Sequence, residues 1–536
     1  MRLILNLKKL NTFIDPKHFK LEDIRTDLKL MMKGHFMASI DQQDAYLTIP
    51  IHENYCKFLR FRWKGQLYEY VCLPFGLCTG PWLFTKITKP IINYLRSLGW
   101  VSVVYLDDWW LTSKTMKDCK ENVSVTRKLL ESLGFVINVD KSDLCPSTTC
   151  QFLGFVLDSS AMTLELTQKK REHILELVKK FKTIDTCVIR DFACFVGNII
   201  AACPAVNYGW FHSKLFERQR YLALLYSHDN YDSNMRLDQS LRTEFEWWEE
   251  NILTAKNPIR QYEYKITIFS DASLTGWGAS CNDKVVFGQW DSRESSFHIN
   301  CLELIAAFNG LKAFASHLSN CEILLKIDNS TAIAYINRMG GIKCQNLNNV
   351  TRDIWSWCEQ RNLWLFATHI PSIENVIADS ASRINNIDTE WELAPWAFRQ
   401  IYNLFGQPQI DLFASVNNKK CVDYCSWHRD PEAFCIDAFT IKWDTFYFYA
   451  FPPFSLILKT LRKIQVDQAC GIVVVPEWFT QPWYPLWLSL LIQPPIFFKP
   501  SDNLLLDPCR RLQHPLAGKL TLMAGRLSGK LSKNVG

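Results

Sequence analysis

Two adjacent carboxylates, Asp107 and Asp108, interrupt an apolar run: Val103 to Leu106 precede them, and Trp109, Trp110 and Leu111 follow. Burying neighbouring carboxylates is costly unless a cation neutralises them. Hard oxygen ligands on a turn suit Mg²⁺, which takes one or two carboxylates and leaves positions for substrate phosphates. A solvated turn is the plainer reading of an isolated Asp-Asp pair. Here Asp41, at the end of the apolar approach Met37, Ala38 and Ile40, is a third acid that could meet the tip. Three carboxylates on adjacent strands could hold two metal ions and clamp the attacking and leaving oxygens of a phosphoryl displacement. A second acidic set, Asp271, Glu303, Asp328 and Asp379, lies further along. Each of these alone would be a helix cap or a surface charge, but four acids on separate elements make a second two-metal site.

Several elements must position these groups. Val103–Leu106 is rich in β-branched and aromatic residues and predicts a strand; apolar–Asp–Asp–apolar predicts a tight hairpin with a charged tip. Residues 73–84 (LPFGLCTGPWLF) combine glycines that permit close backbone approach with later helix formers. A hairpin turning at Lys64-Gly65 precedes them, and residues 121–144 predict a helix, a break at Gly134 and a strand. Residues 2–11 predict a strand and loop, and 19–31 a surface helix. Around the second acidic set the pattern is βββαβαβα, a mixed sheet with helices on its faces.

Three blocks in this order, SIDQQDAY, LPFGLCTGPWLF and YLDD, resemble motifs A, B and C of the reverse transcriptase palm. The resemblance implies two Mg²⁺ on Asp41, Asp107 and Asp108, with RNA template, DNA primer and dNTPs as substrates. It makes Tyr46 the side chain that excludes a ribose 2′-hydroxyl, and Phe75 and Gly76 the nucleotide-pocket floor. Lys141 takes the place of the motif D lysine that protonates pyrophosphate, and residues 150–158 that of the primer grip. Arg2 falls where the family contacts the triphosphate; the fingers before it are expected to be truncated. Residues 262–385 resemble ribonuclease H, which implies two further Mg²⁺ on Asp271, Glu303, Asp328 and Asp379, His369 on a mobile loop, and an RNA–DNA hybrid as substrate. Beyond them, DLFAS, DAF and FPPF resemble the methyltransferase-like domain that follows ribonuclease H in DIRS-type retrotransposons. Phe451 replaces the polar first residue of the (D/N)PPY that grips a target amine, and the Asp411 loop lacks cofactor-cradling glycines. A structural or nucleic-acid-docking role is therefore expected for that domain.

The expected fold is an α/β and α+β multidomain chain. Residues 1–164 form fingers and palm of a right-hand polymerase, 165–260 thumb and connection, 261–386 a ribonuclease H-like mixed sheet, 387–508 a methyltransferase-like α/β domain, and 509–536 a basic tail. The expected function is RNA-directed DNA polymerase and ribonuclease H of a DIRS-like, tyrosine-recombinase-type retrotransposon. The alternative is a degenerate or domesticated copy that binds nucleic acid without polymerising.

Composition sets bounds on this. A chain of 536 residues accommodates two to four domains, and 48% hydrophobic content supports ordinary cores. A net charge of +6 permits a nucleic-acid partner without requiring one. The 19 cysteines lack disulfide-like spacing, which points to a reducing, intracellular compartment. Cys421, Cys425, His428 and Cys435 do not have a usual zinc spacing and read as ordinary thiols. The longest apolar stretch, Pro485–Phe498, is too short to span a membrane.

Overall fold

The computed structural model describes residues 5–291, 293–383, 391–427, 430, 432–506 and 514–530. The chain divides into two compact units, Met1–Gln261 and Tyr262–Gly536.

In the first unit, alternating residues send the central antiparallel sheet's two faces into different cores. Its strands Val101–Tyr105, Asp108–Ser113 and Phe36–Gln43 lie side by side, with Val136–Ile137 and Asp143–Ser147 pairing Phe36–Gln43. Ala38, Ile40, Val104, Trp109 and Leu111 join one core with residues of the helices Gly80–Ser97 and Met116–Ser132. Met37, Val103 and Trp110 join the other. The second helix starts at Thr115, whose hydroxyl oxygen accepts the Asp118 N–H at 3.1 Å, an N-cap that satisfies one orphan donor.

The strands Thr149–Phe152 and Phe155–Asp158 form a hairpin closed by Leu153 at φ 48° and Gly154 at φ 76°. Both turn residues are left-handed, which matches the twist of a two-residue hairpin. The helices Gln168–Lys182, Ile189–Ala202, Gly209–Tyr226 and Arg242–Asn251 follow, with Phe181, Phe192, Phe195, Phe216 and Phe245 in one core.

The N-terminal expectations need correction. The segment read as a loop contains a helical turn, Lys8–Asn11. The helix expected over 19–31 spans only Ile24–Leu30 and is not purely superficial, because Asp27 within it is fully buried. Burial pushes the Asp27 carboxyl up to about 8.

In the second unit, a five-stranded sheet has the order Lys284–Gln289, Gly276–Cys281, Tyr264–Ala272, Cys321–Ile327, Leu363–His369. The first three are antiparallel, and the last two run parallel to Tyr264–Ala272. The helix Val376–Ser382 presses on Gly276–Cys281; a Cβ at Gly278 would collide with the backbone of Ala378 and Ser382. Two helices, Ser330–Asn337 and Gln345–Glu359, separate the last two strands, where the sequence pattern predicts one. Met339 at φ 56° and Gly340 at φ 124° break the chain between them.

A seven-stranded sheet completes this unit. In chain order its strands are Ile410–Asp411, Asp423–Ser426, Cys435–Ile436, Tyr447–Ala450, Cys470–Pro476, Ile496–Phe498 and Leu522–Ser528. Across the sheet they run third, second, first, fourth, fifth, seventh, sixth. The first five are parallel, and Leu522–Ser528 is antiparallel to both neighbours. The expected basic tail over 509–536 is therefore corrected: part of it is an interior strand. Its apolar residues Leu522, Met523, Ala524 and Leu527 are buried, and Arg526 lies 5.2 Å from the Tyr447 ring centroid. Arg510, Arg511 and Lys533 of that tail, and His428, lie outside the described residues.

Candidate metal centres

Cross-strand register assembles the first centre. Asp41, late in Phe36–Gln43, stands directly opposite Asp108, the first residue of Asp108–Ser113. Asp108 is also paired with Tyr105 across the hairpin, so Leu106 and Asp107 make the turn. Leu106 sits at φ 54°. A bulky residue in the left-handed region stores backbone strain. The turn is tied to the neighbouring strand by the Gln42 N–H, which donates to the Asp107 carbonyl at 3.0 Å. Asp41 is held through its backbone: its N–H donates to Ser142 Oγ at 2.9 Å, and its carbonyl accepts the Asn138 N–H at 2.9 Å.

These acids repel one another. Burial, then the charges of Asp41 and Asp107, pushes the Asp108 carboxyl up to about 6, and Lys141 opposes the rise. Lys141 therefore lies within electrostatic reach of Asp108. Tyr46 is buried and stacks on Phe75, centroids 5.1 Å apart and planes 12° apart. Burial, followed by the Asp107 charge, pushes its phenol up to about 12. Gly76 has φ +99°, a conformation that disfavours any side chain. Asn11, which sequence reasoning passed over, clamps this loop: its amide nitrogen donates to the Gly76 carbonyl at 2.9 Å and its amide oxygen accepts the Cys78 N–H at 3.0 Å. A lone Asn in a Lys-rich stretch carries no signal of that role. Arg2 lies outside the described residues.

The second centre draws on the central strand, its parallel neighbour and a helix. Asp271 near the end of Tyr264–Ala272, Glu303 in the helix Ile299–Ala315 and Asp328 just after Cys321–Ile327 bring carboxylate oxygens within 4.8 Å of one another. Among the described residues no other acidic, His or Cys group converges so closely. Asp379, the expected fourth acid, is not in that group. Its Oδ1 accepts from Arg383 Nε at 3.1 Å, but its charge is near enough to raise the Asp271 carboxyl. His369 is exposed, and is the last residue of Leu363–His369 rather than part of a loop.

Serines and an asparagine hold this set. Ser382 Oγ donates to Asp271 Oδ2 at 2.7 Å, with the Asp379 carbonyl as its alternative acceptor at 2.8 Å. Ser372 Oγ donates to Asp328 Oδ2 at 2.8 Å. The buried Asn375 side chain donates to the Ser270 carbonyl at 3.0 Å and pins the approach to the last helix. Glu303 differs: its Oε2 is buried and has no hydrogen-bond partner. Burial, then Asp271 and Asp328, pushes its carboxyl up to about 9.

Both sets have the chemistry of an Mg²⁺ cradle. Both are all-oxygen and acidic; the first is half-buried, and in the second Asp271 and Glu303 are buried and a Glu303 oxygen lacks a protein donor that a cation would replace. No helix among the described residues is long and apolar enough to cross a membrane.

A family model for reverse transcriptase (RNA-dependent DNA polymerase) matches residues 1–157. The chain is 21% identical over 410 residues to a putative enzymatic polyprotein of Cassava vein mosaic virus, covering 73% of this chain and 59% of that one. It is 22% identical over 531 residues to the genome polyprotein of Petunia vein clearing virus (isolate Hohn), covering 94% and 22%. It is 21% identical over 399 residues to the retrovirus-related Pol polyprotein from transposon gypsy of Drosophila melanogaster, covering 72% and 36%. This chain thus spans between about a fifth and three fifths of the length of these relatives. Among solved structures, the foamy viral protease-reverse transcriptase dRH in complex with ds DNA is similar at a TM-score of 0.42 and 17% identity, covering 69% of this chain and 63% of that one. The first carboxylate centre lies wholly within the matched segment, and residues 1–157 are a reverse transcriptase domain in a chain whose relatives are polyproteins of retroelements and plant viruses.

Proposed function

We propose that the chain is an RNA-directed DNA polymerase joined to a ribonuclease H, copying retrotransposon RNA into DNA and degrading the RNA of the hybrid inside the cell. The observation that carries this is the pairing of Asp41 with Asp108 beside the Asp107 turn, inside the reverse transcriptase match. The converging Asp271, Glu303 and Asp328 support the hydrolytic half. The strand order of the C-terminal sheet supports a methyltransferase-like module after the ribonuclease H, and with it a DIRS-like element.

Bound Mg²⁺ would supply charge neutralisation and activation of the attacking oxygen at both centres. The chain's own groups do the rest. Asp41 and Asp108, paired across adjacent strands, and Asp107 in the turn beside them would hold these cations. The Tyr46 ring, braced on Phe75, closes the sugar side of the pocket and excludes a 2′-hydroxyl. Lys141 beside Asp108 gives a proton to departing pyrophosphate. At the second centre Asp271, Glu303 and Asp328 would hold the cations, with the Asp379 charge acting on Asp271, and His369, on the strand position paired with Ile327, moves a proton. Catalysis here is mostly positioning and preorganised electrostatics.

The test separates the two centres on one sample. Asp41→Asn is expected to abolish primer extension and leave cleavage of a labelled RNA–DNA hybrid intact, and Glu303→Gln the reverse. Loss of both activities in each folded variant contradicts two independent centres. Absence of both from folded wild-type chain leaves a nucleic-acid-binding copy.

A further inference from the structure

The seven-stranded sheet reverses its winding between Ile410–Asp411 and Tyr447–Ala450, and ligands of doubly wound sheets bind at the carboxyl ends of strands at such a switch. Two cavities, of about 280 and 290 Å³, open there. Both are lined by Phe413, from the turn after the first strand, and by Pro453, from the turn after the fourth.

The residues do not fit the nucleoside-sulfonium cofactor of a methyltransferase-like fold. No glycine occurs between Gln407 and Cys470, so the first turn cannot bring bare backbone against a ligand. Asp411, fully buried below that turn, is committed to it: its carboxylate accepts the Phe413 N–H at 3.2 Å and the Lys420 N–H at 3.0 Å. Phe413 packs edge-on against Phe439 at 5.7 Å. Phe451 supplies a ring where an amine-gripping group needs an acceptor; it packs against Phe454 at 6.4 Å, and Phe454 against Trp478 at 5.2 Å.

What remains in the 280 Å³ cavity is an aromatic slot between Trp391, Phe413, Phe451, Phe454 and His514. Among the described residues the lining of both cavities is mainly aromatic and apolar. Planar bases stack on such walls without regard to sequence.

We propose that this cleft takes an unpaired nucleobase of a single strand by stacking, without a methyl-donor cofactor. The site is distinct from both carboxylate centres, so the proposal can fail independently of the polymerase assignment.

The test is photo-cross-linking of the full chain, in EDTA, to a single-stranded DNA oligonucleotide carrying 4-thiothymidine, read by peptide mass spectrometry. Cross-links on the peptides of Phe413 or Phe451–Phe454 are expected, and they should persist against a large excess of deoxyribose 5-phosphate, which carries no base. Phe451→Ala should lower their yield about tenfold, with primer extension unchanged as the control for folding. Cross-links confined to residues 1–261, or a yield at this cleft that the base-free sugar phosphate removes, overturn the proposal without reference to any variant. So does binding of S-adenosylmethionine to the wild-type chain in equilibrium dialysis.

Discussion

Replacing Glu303 by Gln should stabilise the metal-free protein at neutral and alkaline pH and abolish its stabilisation by magnesium. Burial and the charges of Asp271 and Asp328 raise the folded-state carboxyl from 4.5 to about 9. Between those values the unfolded chain has lost the proton and the folded chain keeps it. The contribution of this group is therefore intact below about pH 4.5 and lost progressively as pH rises towards about 9. At pH 7 the interval is roughly two and a half pH units, which at about 1.4 kcal/mol per unit costs on the order of 3 kcal/mol. Gln carries no charge to desolvate and keeps an acceptor for the Ala272 N–H that Glu303 uses. It should recover about 2 kcal/mol at pH 7, allowing roughly 1 kcal/mol for an imperfectly bonded amide. Magnesium at about a hundredfold above its dissociation constant should add about 2.7 kcal/mol to the wild type and far less to the variant. Peptide-resolved hydrogen exchange of the strand Tyr264–Ala272 reads this locally, in EDTA and in magnesium, from about pH 5 to about pH 8.5. The difference between variant and wild type should widen with pH in EDTA and reverse in magnesium. A difference that is constant with pH, or a variant still stabilised by magnesium, refutes the reasoning.

Because a proton competes for Asp108 below about pH 6, the magnesium concentration needed for half-maximal primer extension should climb as pH falls through that value; titrations at several pH values check it. Tyr46→Ala should raise incorporation of ribonucleotides relative to deoxynucleotides by about tenfold or more, read as a ratio of kcat/KM values. Asn11→Ala removes both side-chain bonds to the Gly76–Cys78 loop and should raise the KM for dNTPs by up to about thirtyfold, at about 1 kcal/mol per lost bond. Ser382→Ala frees Asp271 Oδ2 and should slow hybrid cleavage about tenfold, on the scale of one hydrogen bond to a charged group; Ser382→Thr should restore most of it.

Much of both centres was legible because Asp41, Asp107, Asp108, Asp271 and Asp328 end or interrupt apolar strand-like runs, while Glu303 and Asp379 fall in segments with helical patterning. The turn from Tyr105 to Asp108 is encoded locally, whereas the pairing of Asp41 with Asp108 joins a separate strand and was expected only from the order of the three motif blocks. The groups that hold the acids were not legible. Ser142, Ser372 and Ser382 reach them, and Asn11 reaches the Gly76–Cys78 loop, through one or two hydrogen bonds across 44 to 111 residues of chain, and no spacing rule connects them. Gln345–Glu359 was missed although Leu347, Thr351, Ile354, Trp355 and Cys358 lie on one buried helical face. The run 522–528 was passed over because counting lysines and arginines hid seven strand residues. Asp27 misled for the opposite reason: its charge suggested surface, and its burial follows from packing around Ile24 and Met31 that no local pattern reveals.

The central claim is that Asp41, Asp107 and Asp108 form a working polymerase centre. The most direct measurement is extension of a DNA primer on an RNA template by the purified full chain with magnesium, beside a variant carrying Asp107→Asn and Asp108→Asn. Extension by the wild type, reduced at least a hundredfold in the variant on the usual scale for lost electrostatic stabilisation, is predicted. Equal extension by both proteins, or none from a correctly folded wild-type chain, would contradict the account.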